Sequence, residues 1–435
     1  MEVLRHRPRA MRLARRAFGV TASLALLGAG AAAPSDPGTR PAAAPAADSS
    51  SLRLDAGSGQ CEFGGKNIKS TPWSLQRVLL DELWSEATGE GVTVAVVDTG
   101  VDKDNPQLRK ALTGGGADFV GDTDGTQDIN GHGTRVAGII AAREADDTGF
   151  SGIAPDAAIL PLRYTGGDDP EKKGDSSTMS LAIKEAVRQG ADIINISSDT
   201  ANKKPNTGLE AAVETAVANG VLVVVAAGND GADGKREKTY PAAYDNVLAV
   251  AASDRDNERA VFSQSGDFVD IAAPGVGMVS TVPEGGQCAA DGTSFAAPYV
   301  SGVAALMMEK YPDWTASEVA ARLMQTADRP GAGPDARIGW GVVNPLAAVT
   351  GSETPQEKPV RDKQQEAGHV TAMGLTVGES DEERTQRLAV YVVATGTVLT
   401  LIIAGSAIAT RDHRRKRTVN SAPPEAADTT TSTRQ

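Results

Sequence analysis

Five short apolar runs constrain this 435-residue chain more than any other feature. They are Val92 to Val97, Ala158 to Leu162, Ile193 to Ile196, Val221 to Ala226 and Val247 to Ala251. Such runs have no polar side to turn to water, so the strands they form must be covered on both faces. Helical patterns at 133–143, 177–189 and 208–219 lie between them. Strand, helix, strand, helix predicts an α/β fold, with a mostly parallel sheet and helices on both faces. A long apolar pattern runs from Ser294 to about Glu309. A further helix is expected from Thr315, where Thr315 and Glu318 have the spacing of a capping box. No internal repeat is present.

The flanks of this body read differently. Arg5, Arg7, Arg9, Arg12, Arg15 and Arg16 precede an uncharged stretch, Ala17 to Ala33, that ends in small residues. This is the layout of a signal peptide over 1–33. Arg15-Arg16-Ala17-Phe18 hints at twin-arginine export, but an ordinary secretory signal or an uncleaved anchor is the preferred reading. Residues 34–55, rich in Ala, Pro, Ser and Asp, read as a flexible linker. Residues 56–88, with Cys61, Pro72-Trp73 and Trp84, read as an extension packed on a main domain at 89–350. Residues 351–387 form a polar linker. Leu388 to Thr410 then runs for 23 residues without a charge. As a helix this spans roughly 34 Å, enough for a bilayer core. A buried core helix is the alternative. Arg411, Arg414, Arg415, Lys416 and Arg417 follow, which places the basic tail, 411–435, in the cytoplasm and the body outside it.

The formal net charge is −13. The two ends, 1–33 and 411–435, carry +5 and +3, so the residues between them carry −21. A body this acidic argues against nucleic acid as a partner. In an exported body Cys61 and Cys288 are candidates for a disulfide, which ties the extension to the segment before Ser294. Two unpaired thiols are the alternative, because sequence does not supply the geometry a bridge requires.

Of four histidines, His6, His369 and His413 lie in the flanks, and His132 alone lies in the body. Any imidazole acid–base chemistry there must use it. It stands in Gly131-His132-Gly133-Thr134, where flanking glycines allow a tight turn into a helix. Asp98 ends the Val92 to Val97 run, at the carboxyl end of a strand, where α/β sheets collect their sites. A carboxylate there can accept the imidazole N–H and fix its tautomer. Ser294 opens a helix in Gly292-Thr293-Ser294-Phe295-Ala296-Ala297-Pro298. A helix start favours developing negative charge, and serine needs a base to become a nucleophile. Asn229, in Ala226-Ala227-Gly228-Asn229, follows another strand and can offer its amide to an oxyanion. Taken singly, each has an ordinary reading: a turn Asp, a structural His, an N-cap Ser and a turn Asn.

Together the segments around Asp98, His132 and Ser294, in that chain order, resemble the subtilisin superfamily of serine proteases. Ala227-Gly228-Asn229 and Gly339-Trp340-Gly341-Val342-Val343-Asn344 are similar as well, and the resemblance covers about residues 84–349. It implies a peptide-hydrolysing triad of Asp98, His132 and Ser294, with Asn229 in the oxyanion hole and Ser197 and Gly228 against the substrate backbone. The order of segments, from signal to extension, protease, linker, membrane helix and basic tail, is more narrowly similar to the mycosins. These are membrane-anchored subtilases that accompany type VII secretion. That resemblance implies a protein or peptide substrate, a membrane, and a type VII membrane complex as partners. A structural component docking on that complex is the rival reading, and a broad degradative protease a weaker one. Two departures stand out. The family's Asn-x-Ser-Leu-Gly segment reads Asn195-Ile196-Ser197-Ser198-Asp199, which brings a negative charge to the primary subsites. Arg135 stands where the family has a second histidine. No cofactor or metal is expected. Asp122, Asp124 and Asp128 hint at calcium, which some relatives bind, but their spacing lacks the full set of oxygen ligands.

Overall fold

The computed structural model describes residues 61–167, 174–200, 203–351, 354–362 and 381–419. The expected signal peptide, the first linker, most of the second linker and the end of the basic tail lie outside these residues. The elements run in order: α1 (Trp73–Gln76), α2 (Leu80–Glu86), β1 (Thr93–Asp98), β2 (Ala117–Asp118), α3 (His132–Ala141), β3 (Ala158–Arg163), α4 (Ser176–Arg188), β4 (Ile193–Ile196), α5 (Thr207–Ala218) and β5 (Leu222–Ala226). Then come β6 (Leu248–Ser253), β7 (Ile271–Pro274), β8 (Met278–Thr281), β9 (Gln287–Ala290), α6 (Thr293–Lys310), α7 (Ala316–Gln325), α8 (Pro345–Thr350) and α9 (Asp381–Val419).

Seven strands form one parallel sheet in the order β2-β3-β1-β4-β5-β6-β7. Alternation along each strand divides the core in two. Val94, Val96, Ile193, Val224 and Val250 face a layer that includes α3 and α6. Ala95, Val97, Ile194, Ile196 and Val225 face α4 and α5. This is the expected α/β architecture with both faces covered. Helix starts follow local capping: Asp175 accepts from Ser177 and Thr178, and Asn206 accepts from Leu209. The Thr315–Glu318 capping box at α7 is formed.

The segment 61–88 shares the core of the main domain. Leu75, Val78 and Leu83 are buried in the layer that holds α6. The Trp73 and Trp84 indoles donate to the carbonyls of Val276 and Ile153. Glu309, near the end of α6, accepts from the backbone N–H groups of Thr88, Gly89 and Glu90. The expected boundary at residue 89 is therefore pinned to the core. Cys61 and Cys288 form a disulfide that closes 227 residues and joins this segment to β9. Far along the chain, α9 is longer than the expected 388–410, and its part from Arg384 to Arg411 contains an apolar 18-residue window of mean hydropathy 2.1.

Candidate active site

The parallel sheet gathers the carboxyl ends of β1, β4 and β5 along one edge, and the chemistry-bearing side chains stand there. Asp98 is the last residue of β1 and is buried. Its Oδ1 receives the backbone N–H of Thr99 at 2.8 Å and lies 2.7 Å from Nδ1 of His132, the first residue of α3. Its Oδ2 is buried and has no hydrogen-bond partner among the described residues. The carboxylate thus concentrates its contacts on the oxygen that faces the imidazole. His132 keeps 22% of its side chain exposed, open to a reacting group.

Asp128 fastens this pair. Its Oδ1 accepts from the Thr99 hydroxyl and the Gly131 N–H, both at 2.8 Å. Its Oδ2 accepts from the Thr134 N–H at 2.8 Å and the Thr134 hydroxyl at 2.6 Å. Thr99 Oγ1 in turn accepts from the Gly133 N–H. The turn after β1 and the first turn of α3 are thereby bound to one carboxylate, and the Gly133 and Thr134 N–H groups of the helix start are satisfied. Burial pushes the Asp128 carboxyl above its ordinary range, opposed by the bonds from Thr134, Thr99 and Gly131. Arg135 lies close by, its guanidinium 5.3 Å from the Phe295 ring centroid and its Nε donating to the Gly131 carbonyl. Burial lowers its pKa, opposed by the charges of Asp128 and Asp98.

Ser294 enters through the turn from β9 to α6. Gly292 has φ +155° and ψ 151°, a backbone region open essentially to glycine alone. A Cβ at Gly292 would stand 2.8 Å from Ser294 Oγ. The glycine therefore makes the turn and clears the hydroxyl. Among the described residues no hydrogen bond joins Ser294 to His132. Phe295, the next residue in the chain, places its ring centroid 5.5 Å from that of the imidazole. Asn229, just past β5, accepts from the Thr293 N–H and hydroxyl, both at 2.9 Å. Its carbonyl end is thus fixed, and its NH₂ has no partner among the described residues. The same Thr293 hydroxyl accepts from the Gly228 N–H at 3.2 Å. Ser197, past β4, accepts from Asn195 Nδ2 at 2.8 Å, and Ser301 of α6 donates to Asn195 Oδ1.

The profile of the Subtilase family matches residues 89–341, more than half of the chain. The chain belongs to the Subtilase family. Subtilisin BL of Lederbergia lenta is 40% identical over 282 residues, 65% of this chain and 99% of that protein. Among solved structures, MycP1 with its N-terminal propeptide removed is similar at 35% identity and TM-score 0.59, over 66% of this chain and all of that one. MycP3, a protease from the type VII (ESX-3) secretion system, is similar at 33% identity and TM-score 0.58, over 66% of this chain and 90% of that one. This subtilase is a subtilisin-like serine endopeptidase related to the mycosins.

The work of Asp128 is not evident from the sequence, where it stands among three acids of a Gly-rich loop. The sign of it was position: an Asp a few residues ahead of a helix start supplies a cap. Its carboxylate is used on α3. Asp124 bonds to Thr126, and Asp122 joins neither of them. Among the described residues no group of three or more acidic, His or Cys side chains is placed to hold a metal ion.

Proposed function

We propose that this subtilase is a membrane-anchored endopeptidase in which Asp98, His132 and Ser294 form the catalytic triad. One observation carries the reading: Asp98 binds Nδ1 of His132, which leaves the other ring nitrogen to serve as base toward the neighbouring Ser294. His132 takes the proton from Ser294 Oγ as that oxygen attacks a peptide carbonyl. Asp98 holds the tautomer and stabilises the imidazolium that forms. The carbonyl oxygen, now negative, is received by the Asn229 NH₂ and by the Ser294 backbone N–H, which lies in the first turn of α6 and lacks a helical acceptor. His132 returns its proton to the leaving amine, and water then hydrolyses the acyl-enzyme. Ser197 and Gly228 line the approach of the substrate backbone.

The anchor rests on the apolar stretch within α9 and on the arginines that follow it. A place beside a type VII secretion complex, acting on a narrow set of exported proteins outside the cytoplasm, rests on the likeness to MycP1 and MycP3. The test uses the full-length protein in detergent and a fluorophosphonate probe. Mass spectrometry is expected to find the adduct on Ser294, and His132→Ala is expected to abolish it. A folded sample that takes no label overturns the triad. Unchanged type VII export in a strain lacking the gene overturns the secretion role.

A further inference from the structure

The segment after β4 brings a charge to the cleft that the catalytic chemistry does not use. Asn195 holds the Ser197 hydroxyl, and Tyr164 holds that of Ser198. Asp199 follows, partly buried, and forms no ion pair among the described residues. Its Oδ2 lies 3.6 Å from the point where a side chain on Gly228 would begin, and the Thr239 methyl lies 2.9 Å from that same point. The Thr200 N–H donates to the Tyr240 carbonyl at 2.8 Å, tying the Asp199 segment to the Thr239 segment. Gly228 therefore lies between two walls, one acidic and one apolar, and immediately precedes Asn229. Lys203, whose charge acts on Asp199, is itself ion-paired to Asp230. Burial raises the Asp199 carboxyl above its ordinary range, the Asp230 charge adds to this, and Lys203 opposes it. The ionised carboxylate is thus short of a partner.

A substrate whose carbonyl oxygen sits on the Asn229 amide has a fixed relation to these walls. The side chain of the residue that contributes the carbonyl leaves from the adjacent carbon and lies against Gly228, the bare position beside Asn229. A long side chain laid there reaches Asp199. An apolar one would strip water from the carboxylate and leave nothing in its place. An ammonium or guanidinium would complete a charge-assisted hydrogen bond. We propose that Asp199 makes this protease select lysine or arginine as the residue whose carbonyl is attacked. This rests on Asn229 and Ser294 acting as described under the proposed function.

The test uses the full-length protein in detergent and matched peptides that differ only at that residue. Lys and Arg peptides are expected to exceed the Ala peptide in kcat/KM by about tenfold to a hundredfold, the worth of one hydrogen bond to a charged group. Asp199→Asn is expected to draw that ratio toward one. Asp199→Lys is expected to invert the preference, so that a Glu peptide outpaces the Lys peptide, a gain that misfolding does not produce. Preferred cleavage after Ala or Leu in the unaltered enzyme overturns the inference, as does an unchanged ratio in Asp199→Asn. Fluorophosphonate labelling of the same preparation separates the two failures. A labelled Ser294 without basic preference sinks the selection by Asp199 alone. A folded enzyme that takes no label and cuts nothing sinks the catalytic assignment, and this inference with it.

Discussion

Two walls of the same cleft are built on opposite plans. On the His132 side, one buried carboxylate, Asp128, accepts four hydrogen bonds and locks the turn after β1 to the start of α3. A disulfide and the Arg135 guanidinium brace the same region. On the Asp199 side, a partly buried carboxylate stands next to a bare glycine and forms no ion pair among the described residues. Positions that serve every substrate alike are fixed by several contacts at once, since a small misplacement of a catalytic group is costly. The position that distinguishes substrates is left short of a partner, which the substrate can supply.

The largest test of this contrast is Ser294→Ala. It is expected to lower kcat by about 10⁶-fold, the scale found when a subtilisin loses its triad serine. Thermal unfolding should stay in place, because Ser294 Oγ makes no hydrogen bond among the described residues. Retained peptide hydrolysis would break the assignment of the rigid wall to chemistry. Asn229→Ala follows, at about 10²- to 10³-fold in kcat. Thr293→Ala should cost less, about tenfold, since one of the two bonds that orient the Asn229 carbonyl survives on the backbone. Single-turnover kinetics on one peptide would rank the three. A Thr293→Ala enzyme as slow as Asn229→Ala would mean that orientation, rather than the amide itself, carries the effect.

The two walls also differed in how far the sequence exposed them. Val92 to Val97 and its sister runs announced the sheet because buried parallel strands admit no polar residue. Thr315 announced a helix start through capping chemistry and the patterns at 177–189 and 208–219 announced two more, and these starts fall within a residue or two of expectation. β2, β7, β8 and β9 span two to four residues, too few to show a period. The pairing of Asp98 with His132, 34 residues apart, is a consequence of sheet topology. Neither local window contains it, and the family resemblance turned a possible pairing into a specific expectation. Asp128 was visible only as one of three acids in a Gly-rich loop, and its turn toward Thr99 needs the three-dimensional path of that loop. The charge of Asp199 was readable at once as a departure. That it stands beside Gly228 without an ion pair among the described residues was not, because Lys203 is held by Asp230 only in the folded chain.

Asp128→Asn sharpens the contrast at intermediate scale. The amide keeps the shape of the carboxylate but turns one acceptor into a donor facing donors. Stability is expected to fall by about 1–3 kcal/mol, the cost of buried polar groups left without partners. Chemical denaturation would measure this, and kcat should fall with it while KM moves little, because His132 shifts and the substrate walls do not. Asp199→Asn should show the reverse pattern, with stability held and the ratio of kcat/KM between Lys and Ala peptides changed. Equal losses of stability in the two variants would erase the distinction drawn between the walls.

The smallest effect lies away from both walls, at the opposite end of the sheet. Asp270 precedes β7 and accepts the Ala249 N–H, and burial raises its carboxyl to about 6 against that bond. In the unfolded chain the group ionises near 3.8. Between those two pH values the native state therefore holds more protons than the unfolded state. Stability from this group is greatest at low pH, falls as pH rises from about 4 to about 6, and is level above. Asp270→Asn should flatten that part of the Tm–pH curve, since the amide does not titrate. The activity profile should keep its shape, because Asp270 touches neither His132 nor Asp199. A shift of the activity profile in this variant would mean that the rate reports partial unfolding. In that case the acid limb of the pH–rate curve would carry no information about His132.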